Sequence, residues 1–278
     1  MTIQLFTQLL GGIVFLICLA ATPGHADMTV HFIDVGQGGG VLVQKNGKTI
    51  MYDCGDIGAG KDVVDYLDTF DVKNIDMMII SHAHQDHMGG CIAVLKSSVA
   101  VKNVYHNGST ADTKIWKKFK KVLQQKVTQN KTKVHIVKQD TTEDGLEILV
   151  AYDSHGEFIK EADNSILVRL VDDQVKILLT GDCEKPCEKE IASTSPVDAT
   201  VLNVGHHGSE ASSSQEFLSK VSPLIAVVSA GEGNRYGHPK AAVLDRLNQV
   251  NAEIYRTDFN GSVVIRSDGK KVRVETEK

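Results

Sequence analysis

The segment Ser81–Gly90 reads SHAHQDHMGG and holds three histidines and one aspartate within the six residues HAHQDH. It follows Asp76–Ile80 (DMMII), an apolar stretch of strand length, and it ends in two glycines. We therefore expect a buried strand that delivers imidazole and carboxylate side chains into a loop at its carboxyl end. The i, i+2 spacing of His82 and His84 places both side chains on one side of an extended backbone.

Imidazole and carboxylate groups are ligands that zinc, manganese and iron accept at neutral pH. Beyond His84 the chain is expected to turn, so that Asp86 and His87 hold a second ion close to the first. The alternative is a polar surface loop without a chemical role. That interpretation suits a single histidine, but it does not explain four ligand-type side chains directly after a buried strand. HAHQDH therefore predicts a centre for two metal ions.

One pattern occurs twice along the chain: a β-hairpin ends near an aspartate, a helix follows, and a strand delivers histidines. The aspartates are Asp53 and Asp182, and the second strand leads into Gly205–Ser209, GHHGS. The repeat predicts an α/β fold, an αββα sandwich of two mixed sheets with outer helices. No Pro/Gly/Ser-rich linker separates the halves, so residues 27–278 are expected to form one domain. The predicted strands are Met28–Asp34, Val41–Gln44, Lys48–Tyr52, Asp76–Ser81, Val101–Tyr105, Lys133–Val137, Leu146–Tyr152, Ser165–Val171, Val175–Thr180 and Ala199–Val204, and the predicted helices are Lys61–Phe70 and Thr113–Val127.

A site for two metal ions needs more ligands than HAHQDH supplies, including a carboxylate that can bridge the ions. Asp182 in LLTGD has the position for this role, and His206 or His207 after the next strand would complete the ligand set of the second ion. Asp182 and the histidine pair each have an alternative role. Asp182 would otherwise be a turn residue after Gly181, and the histidine pair would cap a helix near Ser212. The repeat favours metal binding, because both features lie where the first half places HAHQDH.

The first 26 residues carry no Lys, Arg, Asp or Glu, and Gly11–Ala21 (GGIVFLICLAA) is an apolar run of signal-peptide length. Small residues around Ala26 suit cleavage before Asp27. We therefore predict a signal peptide over residues 1–26 and a secreted or periplasmic protein. An uncleaved N-terminal anchor is the alternative, because no basic residue precedes the apolar run.

Export would leave Cys54, Cys91, Cys183 and Cys187 in an oxidising compartment, where disulfides persist. Three pairings are possible. Cys54 and Cys91 each follow a loop assigned to the metal site, and Pro186 disfavours a regular helix that would hold the other two cysteines apart. We therefore favour the pairs Cys54–Cys91 and Cys183–Cys187. Four free buried thiols are the alternative.

The net charge of −5 does not indicate a nucleic-acid-binding protein. A local exception is Lys114–Lys133, which carries eight lysines and no acid. Its first part, Thr113–Val127, has the apolar spacing of an amphipathic helix. Such a run most often only solvates a helix face. The alternative is an anchor for a polyanionic substrate, with Lys117 and Lys121 as candidate contacts.

Several motifs together resemble the metallo-β-lactamase fold, namely HAHQDH, the aspartate of YDCG, LLTGD and GHHGS. Further motifs make the resemblance more specific. They resemble the soluble nuclease-like domain of the competence DNA-internalisation (ComEC-like) family and related bacterial phosphorylcholine esterases. These motifs are Phe32–Gly38 (FIDVGQG), Asn234–Pro239 (NRYGHP), Tyr255–Asp258 (YRTD) and Gly261. The resemblance spans Met28–Ile265. It implies a free, exported version of that domain without the family's multi-span channel.

The resemblance also implies a role for each motif residue. The metal ligands would be His82 and His84 for the first ion, Asp86, His87 and His207 for the second, and Asp182 as the bridge. His207 is preferred over its neighbour because it aligns with the family's ligand on the following glycine. Asp53 would orient the HAHQDH loop. The candidate catalytic residues are Asp86, His206 and His238, and the candidate substrate contacts are Ser209, Arg235, Tyr236, Lys117 and Lys121.

Two positions depart from the family pattern. The wider fold supplies a third histidine to the first ion just before the second hairpin, where this chain reads Ala162–Ser165 (ADNS), with His155 some way upstream. Asp163 or Asn164 would substitute, or the first ion would be weakly held. The second departure is the pair Gly39–Gly40 after GQG, where relatives usually carry an acid. This second departure does not change the predicted metal ligands, but it changes the loop that is expected to face the substrate.

Together these features predict an exported metal-dependent hydrolase, a phosphodiesterase or nuclease acting on DNA or another phosphodiester. Two divalent ions, zinc by preference and manganese as the second choice, would hold a bridging hydroxide that attacks phosphorus. His238 or the non-ligating member of the histidine pair would protonate the leaving oxygen. The alternatives are a phosphorylcholine esterase acting on a cell-wall polymer, a β-lactamase, and a binding protein whose metal ions are structural. GQG, GHHGS and NRYGHP oppose the β-lactamase. The incomplete third-histidine position favours the binding protein, whereas intact HAHQDH and Asp182 oppose it.

Overall fold

The computed structural model describes residues 28–129, 131–143, 146–151 and 164–278. The predicted signal peptide (residues 1–26), His155 and Asp163 lie outside the described residues. The strands are β1 (Met28–Phe32), β2 (Gly40–Lys45), β3 (Lys48–Cys54), β4 (Asn74–Ile80), β5 (Ala100–His106), β6 (Lys133–Ile136), β7 (Thr141–Glu143), β8 (Leu146–Val150), β9 (Ile166–Asp172), β10 (Val175–Leu179), β11 (Val201–Asn203), β12 (Ile225–Val228), β13 (Glu253–Arg256), β14 (Val263–Ser267) and β15 (Val272–Thr276). The helices are α1 (Gly60–Thr69), α2 (Gln85–Met88), α3 (Cys91–Lys96), α4 (Lys114–Thr128), α5 (Lys185–Thr194), α6 (Gln215–Val221), α7 (Ala241–Gln249) and α8 (Thr257–Asn260).

The strands form two mixed sheets. The first has the order β15-β14-β1-β2-β3-β4-β5-β6, and the second has the order β13-β12-β11-β10-β9-β8-β7. Within each sheet a run of antiparallel strands leads into a run of parallel strands, β3 to β6 in the first and β10 to β13 in the second. The carboxyl ends of parallel strands lie at one edge of a sheet, where loops commonly build ligand sites.

The period-2 alternation of strand residues explains why the sheets stack. Ile50 and Tyr52 of β3 face the core between the sheets, whereas Met51 of the same strand faces outward into a second core. Met77 and Met78 of β4 divide in the same way. Both faces of each sheet are apolar because helices cover the outer faces.

Helices α1, α3 and α4 cover the first sheet, and α5, α6 and α7 cover the second. The predicted αββα sandwich is therefore confirmed. The lysine-rich helix also forms as predicted: the Thr113 hydroxyl accepts a hydrogen bond from the Trp116 N–H at its start, and Trp116 and Phe119 are completely buried. Within the described residues, no helix combines the length and the apolar character that crossing a membrane requires.

Candidate metal centre

The first ligand group joins the two halves of the molecule. His82 and His84 follow β4, and Asp182 follows β10. The His82 Nε2 and His84 Nδ1 atoms lie 2.8 Å apart, and the His82 Nε2 atom lies 3.5 Å from Asp182 Oδ2. The ligand atoms of the three residues all lie within 4.8 Å of one another. Three donors that face one point at this spacing suit a single metal ion.

The second ligand group consists of Asp86, His87 and His207, whose ligand atoms also lie within 4.8 Å of one another. The Nε2 atoms of His87 and His207 lie 3.2 Å apart, and the His207 Nε2 atom is 3.5 Å from Asp86 Oδ2. The opposite ring nitrogens have acceptors: His87 Nδ1 lies 2.8 Å from Asp53 Oδ2, and His207 Nδ1 lies 2.9 Å from the Ser229 carbonyl oxygen. These bonds fix the tautomer that leaves Nε2 available to a metal.

Asp182 lies between the two groups. Its Oδ1 atom is 3.0 Å from His87 Nε2 and 3.6 Å from His207 Nε2, whereas its Oδ2 atom faces His82 of the first group. The carboxylate is buried, and among the described residues Oδ1 has close imidazole nitrogens but no hydrogen bond of regular geometry. A buried carboxylate oxygen without such a bond is costly unless a cation neutralises it. This arrangement matches the bridging role predicted for Asp182.

Three of the residues that build the centre have left-handed backbone conformations: Asp53 (φ 55°), His206 (φ 50°) and His207 (φ 56°). Residues other than glycine adopt this conformation at a cost of about 1–3 kcal/mol, and such strain concentrates at functional sites. Gly208 follows the histidine pair, and a Cβ atom there would lie 2.4 Å from the Cβ atom of Pro239. The glycine of GHHGS therefore allows the NRYGHP loop to pack against the site.

The charges of the centre are strongly coupled. Burial lowers the pKa of His87, but the carboxylates of Asp182 and Asp53 outweigh burial and hold this pKa well above its usual value. Burial raises the pKa of Asp182, whereas the neighbouring imidazoles hold it well below its usual value. Burial raises the pKa of Asp86 as well, but the hydrogen bond with His207 and the charges of His87 and His207 together hold this pKa below its usual value. The carboxyl groups of Asp182 and Asp86 are therefore ionised at neutral pH and offer negative charge to a cation.

The donor set fits two divalent cations. Each group contributes imidazole nitrogens and carboxylate oxygens, which suits zinc, manganese and iron. Within each group two imidazole nitrogens face each other at hydrogen-bond distance, 2.8 Å in one and 3.2 Å in the other. A cation placed between such nitrogens would accept both lone pairs.

At the position of the missing third histidine, Asn164 is buried, and its backbone carbonyl accepts a hydrogen bond from Asn107 Nδ2 at 2.9 Å. Its Oδ1 atom has no partner among the described residues. The next residue, Ser165, lies with its Oγ atom 3.5 Å from His82 Nδ1 and accepts a hydrogen bond from the Asp182 N–H at 3.1 Å. Ser165 therefore positions two candidate ligands, and a ligand role for Asn164 stays a prediction.

Gly39, one of the two glycines at the predicted departure from the family pattern, packs against the HAHQDH loop. The Gly39 N–H donates a hydrogen bond to the Asp86 carbonyl at 3.1 Å. A Cβ atom at Gly39 would lie 3.0 Å from His87 Nδ1 and 3.5 Å from Asp53 Oδ2. This position thus borders the ligands themselves as well as the substrate-facing loop.

His206 and His238 stand at the rim of the centre. His206 Nε2 lies 3.5 Å from Asp182 Oδ2, and its Nδ1 atom lies 3.3 Å from Glu184 Oε1. The ring of His238 lies 6.0 Å from that of His206. Burial, and then the neighbouring imidazoles of His207 and His206, lower the pKa of His238 to about 4. His238 is therefore a neutral imidazole at pH 7.

An open cavity of about 340 Å³ lies over the centre. Its lining residues are Gln37, His84, Gln85, Asp86, Asp182, His206, His207, Tyr236 and His238. An adjoining cavity of about 730 Å³ is lined by Arg235 and Tyr236 among others. Three further predicted substrate contacts, Ser209, Lys117 and Lys121, lie outside both linings. The Ser209 hydroxyl instead accepts a hydrogen bond from the Ala211 N–H within its own turn.

Both predicted disulfides are present, Cys54–Cys91 with a Cα–Cα distance of 5.1 Å and Cys183–Cys187 with one of 5.4 Å. The expectation that Pro186 prevents a helix there is wrong. Helix α5 begins at Lys185, and Pro186 occupies its first turn, where the missing N–H has no intrahelical partner to lose. Cys183 precedes α5 and Cys187 lies within it, so the disulfide links the segment before the helix to its first turn.

Sequence reasoning missed three residues that orient the candidate ligands, namely Ser165, Ser81 and Ser229. Ser81 donates from its backbone N–H to Asp53 Oδ1 at 2.8 Å and from its hydroxyl to Asp53 Oδ2 at 2.6 Å. The position of a hydroxyl directly before HAHQDH is a signal that would have identified it. Ser229 acts through its backbone carbonyl on His207, and a backbone role leaves no signal in the residue type.

Residues 33–232 match the family model described as the metallo-beta-lactamase superfamily. ComE operon protein 3 of Bacillus subtilis (strain 168) is 28% identical, over 90% of this chain and 34% of its own length. Recombination protein 2 of Haemophilus influenzae is 33% identical, over 84% of this chain and 28% of its own length. Competence protein ComA of Neisseria gonorrhoeae is 30% identical, over 88% of this chain and 33% of its own length. The chain thus spans about a third of the length of these relatives.

Solved structures support the same fold. YhfI of Bacillus subtilis, a metallo-beta-lactamase fold protein, has a TM-score of 0.57 at 14% identity, over 87% of this chain and all of its own. A diphosphatase of the PhnP family has a TM-score of 0.50 at 13% identity, over 86% of this chain and 98% of its own. At such identities the likeness shows the fold alone. The chain belongs to the metallo-beta-lactamase superfamily, and its homologues there include competence proteins of the ComEC-like family.

Proposed function

We propose that this protein is a metal-dependent hydrolase of phosphodiesters, with DNA or a nucleotide as its substrate. The observation that carries the proposal is the position of Asp182, whose two carboxylate oxygens face different ligand groups. A carboxylate shared between two cations is the hallmark of sites that clamp the attacking and leaving oxygens of an in-line displacement. Most members of the superfamily are metal-dependent hydrolases.

The residues of the chain have distinct roles in this proposal. His82 and His84 would hold one ion, Asp86, His87 and His207 the other, and Asp182 both. Two divalent cations so held supply Lewis acidity and a nucleophilic water at neutral pH. The neutral His238 imidazole would donate a hydrogen bond to a phosphate oxygen in the cavity. We assign protonation of the leaving oxygen to His206, which lines the same cavity and contacts Glu184.

A polyanionic substrate is supported by the lysine-rich helix α4, which packs against α2, the helix that carries Asp86 and His87. The Lys118, Lys120 and Lys121 side chains are exposed on α4. Lys117 is exposed as well, although it pairs with Asp112 at 2.5 Å. A positive surface on a helix that packs against α2 suits a chain of phosphates. The names of the relatives, which refer to competence and recombination, agree with DNA as the substrate.

We propose that the protein acts outside the cytoplasm. Support comes from the apolar N-terminal run and from two disulfides in the described part of the chain, since disulfides persist in oxidising compartments. Cell fractionation tests this: recovery of the protein from the periplasm or medium, without residues 1–26, is expected. Recovery of an intact N-terminus in the cytoplasm would contradict it.

The function is tested by turnover of bis-p-nitrophenyl phosphate, linear DNA and p-nitrophenyl phosphorylcholine, each with zinc and with manganese. We expect hydrolysis of the first two and its loss with a chelator. Nitrocefin serves as the β-lactamase control and should not be hydrolysed. Metal analysis that finds two ions per chain without turnover of any substrate would favour a binding protein with structural metals.

A further inference from the structure

We propose that the cavity adjoining the metal centre is a binding site for the nucleobase next to the scissile phosphate. This inference rests on the proposed function, whose substrate class it narrows to nucleotides. The adjoining cavity has a volume of about 730 Å³, within the range of small-molecule sites. It shares Gln37, Gln85, Asp86 and Tyr236 with the lining of the metal cavity. A group attached to a phosphate at the metals therefore extends directly into it.

The adjoining cavity offers an aromatic ring for stacking. Tyr236 lines both cavities and is 46% exposed. Its position is fixed by its neighbours: the Arg235 guanidinium donates to its hydroxyl at 2.7 Å, and His238 stacks on it with ring centroids 5.6 Å apart. His238 also lines the metal cavity. The ring is thus held in place at the junction of the two cavities, and its exposed part is available for a base to stack beside Arg235 and His238.

The walls also offer hydrogen bonds to the edge of a base. The Gln85 amide donates to Asp56 Oδ2 at 2.8 Å, and the Gln37 Oε1 atom accepts from the Gly231 N–H at 3.1 Å. Each bond orients one end of a primary amide that carries both donors and an acceptor. A base presents donors and acceptors in one plane, so two oriented amides and a stacking ring match it.

The guanidinium of Arg235 disfavours a quaternary ammonium such as choline on the ring of Tyr236, although Asp56 and Asp86 also line the cavity. A cation would seek the face of Tyr236, but the Arg235 guanidinium already lies 4.9 Å from the centroid of that ring. A second positive charge there would be repelled by the first. A neutral planar base, in contrast, gains from stacking beside both the ring and the guanidinium plane.

The test uses the zinc-loaded full chain and isothermal titration calorimetry with thymidine 5′-monophosphate and with 2-deoxyribose 5-phosphate, which lacks the base. We expect the nucleotide to bind about 5- to 150-fold more tightly, the range for stacking of one base. Tyr236→Ala should remove this preference, and Tyr236→Phe, which keeps the ring, should retain it. Phe259→Ala is the matched control, because Arg256 covers that exposed ring at 3.9 Å and Phe259 lines neither cavity.

Equal affinities for the two phosphates would overturn the proposal, and so would a preference that survives Tyr236→Ala. Turnover of bis-p-nitrophenyl phosphate, measured on the same samples, reports on the hydrolase function separately. Turnover without a base preference rejects the nucleobase site and leaves the hydrolase. A base preference without any turnover supports the site and rejects hydrolysis.

Discussion

The two halves of the molecule share a topology, yet they use their aspartates differently. Asp53 lies inside β3, which ends at Cys54, whereas Asp182 lies beyond β10, which ends at Leu179. The carboxylate of Asp53 is completely buried and accepts hydrogen bonds from Ser81. The carboxylate of Asp182 faces imidazoles of both ligand groups.

The difference shows how a repeated framework gives two chemical roles. A carboxylate that stays within the strand remains below the loop, where it can only orient His87 through Nδ1 at 2.8 Å. A carboxylate past the end of the strand reaches the level of the imidazole Nε2 atoms. The position of each aspartate relative to its strand end thus decides whether it orients a ligand or serves as one.

The largest effect is expected for Asp182→Asn. A neutral amide cannot neutralise two cations, so turnover of bis-p-nitrophenyl phosphate should fall at least about a thousandfold, equivalent to about 4 kcal/mol. The measurement compares kcat for parent and variant at saturating zinc, together with the metal content of each. Substantial turnover by a variant that still binds two ions would exclude the two-metal mechanism.

The disulfides allow a second comparison, because each half has a cysteine directly after its aspartate. Cys54–Cys91 closes a separation of 37 residues and Cys183–Cys187 one of 4. Loop-closure entropy therefore predicts a loss of about 4 kcal/mol in the free energy of unfolding without the first disulfide and about 2 kcal/mol without the second. Urea unfolding of the two double Cys→Ala variants measures both. A larger loss for the shorter loop would show that native contacts, and not chain entropy, dominate.

Asp53→Asn should have a smaller effect than Asp182→Asn. The amide can still accept from the Ser81 N–H through its oxygen, but its NH2 end can accept from neither the Ser81 hydroxyl nor His87 Nδ1. Zinc affinity and turnover should each fall about 10- to 100-fold, the usual cost of losing a partner that orients a ligand. Asp68→Asn, an exposed residue of α1, is the control. A loss as large as that of Asp182→Asn would mean that Asp53 itself binds metal.

The strongly patterned parts of the chain were predictable. HAHQDH, LLTGD and GHHGS contain the candidate ligands that the structure brings together, because each motif follows an apolar strand whose end is easy to recognise. The αββα sandwich followed from the repeat of hairpin, helix and strand. Strands β7 and β12 to β15 and helices α2, α3 and α6 to α8 were not predicted. These segments are short, and some of them, such as β13 and β15, are only partly buried. Packing in the folded protein, and not the local sequence pattern, therefore determines their secondary structure.

Contacts between distant segments were not predictable. Ser229 and Ser165 reach the ligands from segments far away in sequence, through a backbone carbonyl in one case and a hydroxyl in the other. The cavity beside the metal centre also depends on segments distant in sequence, because Asp56 and Arg235 meet only in the folded protein. Residue type can suggest a ligand, but it does not report which neighbour will orient that ligand.

The last comparison concerns the helices that follow the third strand of each parallel run, α4 after β5 and α7 after β12. Helix α4 (KIWKKFKKVLQQKVT) carries six lysines and no acid, whereas α7 (AAVLDRLNQ) carries one Arg and one Asp. Packing alone does not require this difference, since both helices bury an apolar face. An excess of positive charge in one half only is what an anchor for a polyanion would produce.

Changing Lys117, Lys118, Lys120 and Lys121 to Gln should therefore spare turnover of bis-p-nitrophenyl phosphate and weaken the binding of DNA, because a small diester at the metals does not extend to α4. Each lost phosphate contact should reduce the slope of log K against log salt by about 0.7–0.9. The control removes the same charge elsewhere, from four exposed lysines: Lys185, Lys189, Lys270 and Lys271. Trp116 and Phe119 must stay unchanged, since they bury the helix against the first sheet.

If both quadruple variants keep the parent slope, the lysines of α4 only solvate their helix. If both flatten the slope equally, total charge and not the position of α4 attracts DNA. A change confined to the α4 variant would place the path of the DNA over the first half of the molecule.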